Sequence, residues 1–127
     1  METKDIIGII PVLPSADIAR DVSWYKEKIG FKEHFSDNMY AILYRDNIII
    51  HLQWHADTID DPLLGGSVIR IYMKNLQPIF EDLVSRGAVS IDQLRKNTHW
   101  NTNEFGLYDL NSNAIVFMED ITSNTNL

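Results

Sequence analysis

The chain contains the same order of segments twice. An apolar run at residues 6–13 leads into an amphipathic helical pattern that ends at Gly30, and two alternating apolar runs follow. The order returns at residues 68–73, passes through a second helical pattern that ends at Gly87, and finishes with alternating runs up to Met118. Two copies are too few for a solenoid, so the pattern predicts a duplicated βαβββ module. Two half-covered sheets must pair to bury their apolar faces, which leaves a crevice for a ligand between them.

The chain length of 127 residues and the duplicated pattern predict a single α+β domain that occupies residues 1–127. Module one covers about residues 1–56 and module two about residues 66–120. Residues 57–65 are predicted to be a linker because they are rich in Asp, Pro and Gly, and residues 121–127 to be a frayed tail.

Each helical pattern has an apolar stripe and a stop signal. Ser15 is predicted to cap the first helix, and Gly30 to end it in the left-handed conformation. Pro78 falls in the first turn of the second helix, where its missing N–H costs nothing. The stripes consist of Ile18, Val22, Tyr25 and Ile29 in the first helix and Leu76, Ile79, Phe80, Leu83 and Val84 in the second.

Alternation assigns the two faces of each predicted strand. Between residues 48 and 55, Ile50 and Leu52 alternate with His51 and Gln53, so one face is apolar and the other looks onto solvent or a cavity. The residues predicted to contact the helical stripes are Ile7, Ile9, Ile50, Leu52, Ile69, Ile71, Ile115 and Phe117.

Composition excludes several classes of protein. The chain has no cysteine, so it can form neither a disulfide framework nor a thiolate metal site. Its net charge of −7 argues against nucleic-acid binding, because neutralising phosphates requires clustered Lys and Arg. No apolar run approaches membrane-spanning length, and the first residues lack signal-peptide features, so we expect a cytoplasmic protein without membrane contacts.

Four stretches resemble the vicinal-oxygen-chelate superfamily, and within it the bleomycin-resistance-type proteins related to glyoxalase I. They are residues 10–18, residues 24–31, residues 100–105 and residues 108–113, and their order and spacing across both modules carry the resemblance. It implies eight strands in two modules that form an open, cleft-bearing barrel. It also implies a homodimer whose subunits exchange N-terminal strands near residues 11–14.

The resemblance also locates the positions at which enzymes of this superfamily bind a divalent metal. They fall on Ile10, His51, Val68 and Val116, of which only the histidine can ligate. A catalytic metal needs about three protein ligands with nitrogen or oxygen donors. We therefore predict no bound metal and no cofactor.

The same resemblance suggests aromatic residues for ligand binding. Phe35 and Tyr40 match positions at which the family stacks a flat, cationic drug, and Trp100 lies in a polar loop that matches another ligand-contacting segment. Phe35 and Tyr40 have an equally good interpretation as core or dimer-interface residues. Trp100 favours a ligand contact.

Polar and mixed residues are predicted to complete the cleft. They are His51, Gln53, Arg70, Tyr72 and Glu104. Arg70 departs from the family pattern, because a guanidinium opposes a cationic ligand. Either Glu104 or Asp109 neutralises it internally, or the natural ligand carries an anionic group.

Two function classes remain open. The first is a non-catalytic protein that binds a planar, cationic antibiotic of the bleomycin class and confers resistance by sequestration, with no catalytic residue. The second is a metal-independent isomerase or lyase for a small, possibly anionic substrate, with His51 as base and Glu104 or Tyr72 as acid. The missing metal set favours the binding protein. Convergence of His51 and Glu104 on one empty pocket would favour the enzyme.

Overall fold

A computed structural model describes residues 5–121 of the chain as two sheets and two helices. The first half contains β1 (Val12–Ser15), α1 (Ile18–Trp24), β2 (Lys32–Ser36), β3 (Tyr40–Arg45) and β4 (Ile48–Trp54). The second half contains β5 (Val68–Tyr72), α2 (Gln77–Ser85), β6 (Thr102–Tyr108) and β7 (Ala114–Asp120). Residues 122–127, most of the predicted frayed tail, lie outside the described residues.

The two sheets share one design. In the first sheet, with order β1-β4-β3-β2, β1 is parallel to β4 and the other pairs are antiparallel. In the second sheet, with order β5-β7-β6, β5 is parallel to β7 and β6 is antiparallel to it. In each sheet a helix follows the first strand, and the chain then passes through antiparallel strands (β2 and β3 in the first sheet, β6 in the second) before it returns as the parallel neighbour, β4 or β7. A parallel pair needs such a long connection. The predicted α+β class with its duplicated architecture is confirmed.

The second module has one strand fewer than the resemblance implies. Residues 5–121 contain seven strands rather than eight. Where the missing strand was expected, Ser90 and Gln93 form a capping box that closes a 3-10 turn, Ile91–Gln93. Arg95 then forms an isolated antiparallel bridge with Glu104. The capping box diverts the backbone into a turn, and only one residue pair of the ladder remains.

The N-terminal arm, residues 5–11, contradicts the predicted first strand. The strand begins at Val12, and Ile7 and Ile9 are 103% and 93% exposed. The prediction that Ile7 and Ile9 contact the helical stripes is therefore wrong for a single chain. The pairing of β1 with β4 starts at Val12 opposite His51, and the last backbone hydrogen bond before it is the one that Pro11 accepts from the N–H of His51. Residues 5–10 do not continue this pairing, although β4 extends to Ile48.

The predicted helical stripes form the core. Every member of both stripes is buried except Val84, which is partly buried against the others. Of the predicted sheet residues, Ile50, Leu52, Ile71, Ile115 and Phe117 are buried, and Ile69 packs at the margin. Each such side chain contributes roughly 1.5–3 kcal/mol through removal from water. The face assignment of both sheets is therefore confirmed.

The start of α1 differs from the prediction, and its end agrees with it. Asp17, not Ser15, is the N-cap, and its side chain accepts a hydrogen bond from the backbone N–H of Arg20. The Ser15 hydroxyl instead donates to the buried Asp21. A π-helical turn, Tyr25–Ile29, prolongs the helix, which ends at Gly30 with φ of 74°, the predicted left-handed stop.

A buried polar joint connects the two modules. Tyr25 of the α1 extension donates a 2.6 Å hydrogen bond to Asp109, which follows β6. Asp109 also accepts hydrogen bonds from the backbone N–H groups of Asn111 and Asn113 and from the Asn113 side-chain amide. Burial and the adjoining Asp109 carboxylate raise the pKa of Tyr25, so its hydroxyl stays protonated and acts as the donor.

Candidate functional site

Each sheet has an open face on the side away from its helix. On the first sheet, a cross-strand row brings Val12, His51, Ile42 and Phe35 side by side. The face is apolar and aromatic, with Phe35 46% exposed. Large apolar side chains left in water on a sheet face mark a surface that another molecule covers.

Tyr40 and His51 form a pair on this open face. The Tyr40 hydroxyl lies 2.7 Å from Nδ1 of His51, and the two rings meet edge to face with centroids 5.2 Å apart. Gln53 lies opposite Tyr40 in the register and is exposed. The alternation in the sequence therefore placed Tyr40, His51 and Gln53 on the correct face. The hydrogen bond also fixes the orientation of the imidazole.

The second sheet carries a cluster around a buried carboxylate. Glu104 is 2% exposed, and Arg70 Nη1 donates to its Oε2 at 2.8 Å. Trp100 Nε1 donates to the other oxygen, Oε1, at 2.9 Å. Arg70 is therefore neutralised internally by Glu104, while Asp109 is bonded to Tyr25 in the joint between the modules. Both oxygens of the buried carboxylate are satisfied, as burial of a charge requires.

Arg95 belongs to the same cluster and was not predicted. Its guanidinium carbon lies 5.6 Å from the centroid of the Trp100 ring, within cation–π range. Its backbone exchanges two hydrogen bonds with Glu104, at 2.8 and 2.9 Å. The sequence contained one signal, because residues 93–103 include Arg95 and Lys96 but no acidic residue in an otherwise acidic chain. We call Arg70, Arg95, Trp100 and Glu104 the Glu104 cluster.

An open cleft of about 420 Å³ lies over the second sheet beside this cluster. Arg70, Arg95 and Glu104 line one part of it, and Gly106 and Val116 lie on the strands beneath. Its size is within the range of small-molecule sites. We call it the second-sheet cleft.

Two predicted residues lie beside the second-sheet cleft rather than in its wall. Trp100 is 49% exposed and reaches the cleft through its contacts with Glu104 and Arg95. Tyr72 is 50% exposed, and its hydrogen bond to Asp120 raises the pKa of its hydroxyl. The raised pKa makes the Tyr72 hydroxyl a weaker proton donor than a free tyrosine, which does not favour its predicted role as the acid.

The eight predicted site residues thus fall into two groups within one chain. Phe35, Tyr40, His51 and Gln53 share the open face of the first sheet. Arg70, Tyr72, Trp100 and Glu104 belong to the second sheet or its adjoining loop. Alternation placed residues on faces, but it contained no information on how the two faces are brought together.

The geometry gives no support to the predicted enzyme alternative. His51 is bonded to Tyr40, and it does not line the cleft that contains Glu104. Both oxygens of Glu104 are occupied by Arg70 and Trp100. The convergence that proton transfer between these two residues requires is therefore not observed within the chain.

Between residues 5 and 121, no group of three or more His, Cys, Asp or Glu side chains lies close enough together to hold a metal ion. Neither α1 nor α2 has the length and apolar character of a membrane-spanning helix.

Comparison with known proteins gives relatives in sequence and in structure. Bleomycin resistance proteins of Geobacillus stearothermophilus and Staphylococcus aureus are 24% identical over 128 residues, which cover 90% of this chain and 97% of theirs. The bleomycin resistance determinant encoded on the transposon Tn5 superposes with a TM-score of 0.73, at 19% identity over 92% of this chain and all of the other. This chain has the fold of the bleomycin resistance proteins. No protein-family model matches the chain.

A bleomycin-binding protein from Streptomyces verticillus, complexed with copper(II)-bleomycin, shares the fold with a TM-score of 0.72. Its identity is 22%, and the match covers 91% of this chain and 97% of that one. Bleomycin resistance proteins are therefore relatives of this chain in both sequence and fold, as the resemblance in the sequence implied.

Proposed function

We propose that this protein binds and sequesters an antibiotic of the bleomycin class without altering it. The observation that carries the proposal is that open, aromatic-bearing sheet faces occur in a fold shared along nearly the whole chain with a protein whose structure contains copper(II)-bleomycin. Sequestration needs affinity and no reactive group. The lack of convergence between His51 and Glu104 is consistent with that requirement.

Stacking is the interaction that these faces offer to a flat ligand. Phe35 and Trp100 are each about half exposed, and Tyr40 is held in place by His51. An aromatic contact contributes roughly 0.5–1.5 kcal/mol beyond the area it buries. A few such contacts over a preformed sheet account for tight binding of a planar drug.

We also propose that the functional form is a homodimer. The N-terminal arm exposes Ile6, Ile7 and Ile9 almost completely, and residues 5–121 of one chain provide no core for them. The two groups of predicted site residues likewise lie on separate faces of one chain. A dimer in which the arm packs on the partner, and the first sheet of one copy faces the second sheet of the other, covers both surfaces and completes the cleft.

A titration tests the proposed function. Metal-free bleomycin and copper(II)-bleomycin are added to the purified full-length chain, and heat and tryptophan fluorescence are followed. We expect saturable binding of at least one form, with a stoichiometry of one ligand per cleft, and a protective effect on bacteria that express the chain. The absence of heat, of fluorescence change and of protection would show that the ligand belongs to another class.

Replacing Trp100 with alanine should weaken bleomycin binding by roughly 1–3 kcal/mol, mainly through faster dissociation. The change removes the exposed ring and one hydrogen bond to Glu104. Trp100→Phe is the control, because it keeps an aromatic stacking face, although a smaller one, and loses the N–H donor. Stopped-flow dissociation rates measure the effect. Equal rates for the parent and Trp100→Ala would place the stacking site elsewhere.

Replacing Arg70 with leucine should leave the buried Glu104 carboxylate with Trp100 as its remaining side-chain donor. We expect the free energy of unfolding to fall by roughly 1–2 kcal/mol. This loss is smaller than that for breaking a fully buried ion pair, because Arg70 is half exposed. A cationic ligand should bind about tenfold more tightly, the size of one charge-assisted hydrogen bond. Urea denaturation and calorimetry measure the two effects. The double variant Arg70→Leu/Glu104→Leu should recover the lost stability, and its failure to do so would contradict this assignment.

A further inference from the structure

The second-sheet cleft contains a cation without a carboxylate partner. Arg95 is paired with Glu104 through the backbone, which places their side chains on one face of the sheet. The two oxygens of Glu104 are already taken by Arg70 and Trp100. Within residues 5–121, no carboxylate forms a salt bridge with Arg95, whose guanidinium instead lies over the Trp100 ring. Its N–H donors therefore remain available to a ligand.

Arg70 has donors to spare in the same cleft. Its Nη1 is used by Glu104 and by a long contact to the Met118 sulfur at 3.8 Å. A guanidinium carries five N–H donors in a fixed fork, so its other nitrogens can still bind an anion. The other acidic residue of the lining, Asp92, is exposed and accepts a hydrogen bond from Ser90. Water screens Asp92 more than it screens the enclosed Glu104.

The floor beside these cations is flat and apolar. The register brings Arg70, Val116 and Gly106 into one row across β5, β7 and β6. Gly106 keeps the floor low, because a Cβ there would come within 3.2 Å of both a Val116 side-chain carbon and the carbonyl oxygen of Ile115. Glycine inside a strand is typical of a place where another molecule approaches the backbone closely. A planar ring can lie on this floor with its charged group at the guanidinium end.

We propose that the second-sheet cleft selects planar ligands that carry an anionic group, and that Arg95 is the residue that determines this specificity. The anion is bound by the free donors of Arg95 and Arg70, while the ring lies over Gly106 and Val116. This inference rests on the proposed binding function and adds to it the charge of the preferred ligand. Among bleomycin-class molecules, it favours forms that end in a carboxylate over forms that end in a cationic tail.

Two matched probe pairs test the inference on the full-length protein. The first pair is bleomycin, whose tail is cationic, and bleomycinic acid, the tail-free form that ends in a carboxylate. The second pair is 1-pyrenesulfonate and 1-pyrenemethylammonium, which have the same ring and opposite charge. We expect the anion of each pair to bind at least tenfold more tightly to the parent. Arg95→Gln should reduce the ratio of anion affinity to cation affinity to about threefold or less.

Two variants control for charge. Lys96→Gln removes the same charge from the neighbouring residue, which does not line the cleft, and should leave the ratio unchanged. Asp92→Asn should increase the ratio of anion affinity to cation affinity, because it removes a negative charge from the lining of the cleft. If neither bleomycin form binds but the pyrene pair shows the Arg95-dependent ratio, the proposed function fails and the anion site stands. If the cation of either pair binds as tightly as the anion, if neither pyrene probe binds, or if Lys96→Gln has the same effect as Arg95→Gln, the inference is overturned.

Discussion

Replacing Asp109 with alanine should lower the free energy of unfolding by about 3 kcal/mol, since each buried donor left without an acceptor costs roughly 1–3 kcal/mol. The change removes the acceptor of four hydrogen bonds, from Tyr25, from the Asn113 side chain and from the backbone of Asn111 and Asn113. Relief of the buried carboxylate offsets part of the loss. Because these bonds connect α1 to the β6–β7 turn, the joint between the two modules should loosen.

Equilibrium denaturation in urea measures the effect, and Tyr25→Phe provides a milder version. It removes one donor and leaves the other three bonds to Asp109, so we expect a loss of about 1 kcal/mol. Asp60→Ala is the control, because Asp60 is exposed in the segment between the modules and should change stability by less than about 0.5 kcal/mol. An Asp109→Ala protein as stable as the control would show that the joint does not stabilise the fold.

The sequence predicted the features that depend on local periodicity. Ile18 and Val22 are buried on one side of α1 because an α-helix repeats every 3.6 residues, and Tyr25 and Ile29 in the π-helical turn that follows are also buried. Alternation likewise put Leu52 inside and His51 outside. These patterns arise from the backbone geometry of one segment, so they can be predicted without knowing which distant residues the segment contacts.

The incorrect predictions concern features that depend on contacts with residues distant in the sequence or with another chain. Ile7 and Ile9 have the alternation of a strand, but no strand among residues 5–121 pairs with them. Ser15 looked like a helix cap because serine is a common cap, but Asp21 binds its hydroxyl. The eighth strand was replaced by a 3-10 turn, since the capping box at Ser90 competes with strand pairing.

The candidate site shows the same division. Alternation and family resemblance identified Arg70 and Glu104 as cleft residues, but the sequence left open which acid neutralises the arginine. The register of β5, β7 and β6 decides it, because it places Glu104 within 2.8 Å of Arg70. Arg95 was missed because its position depends on a single backbone bridge to Glu104. No periodic pattern predicts an isolated bridge.

Removing the N-terminal arm should convert the proposed dimer to a folded monomer and lower ligand affinity at least a hundredfold. A chain that begins at Pro11 keeps only the last residue of the arm and lacks Ile6, Ile7, Ile9 and Ile10, which are 86%, 103%, 93% and 44% exposed in one chain. Burying such side chains contributes roughly 1.5–3 kcal/mol each, enough together to hold two subunits at micromolar concentration. The core of one subunit should be unaffected, because Leu13 and the buried residues after it remain.

Light scattering gives the mass, circular dichroism shows that the truncated chain is folded, and calorimetry gives its affinity for bleomycin. A full-length variant with the four arm isoleucines replaced by serine separates apolar contact from chain length and should behave like the truncation. The control replaces Ile59 and Leu64 with serine, since both are exposed in the segment between β4 and β5 and lie outside the arm. If the truncated chain remains a dimer by light scattering and binds bleomycin as tightly as the parent, the arm does not form the interface. Because each single chain keeps the two groups of aromatic and charged residues on separate faces, loss of affinity together with loss of the dimer would mean that both faces must meet to bind the drug.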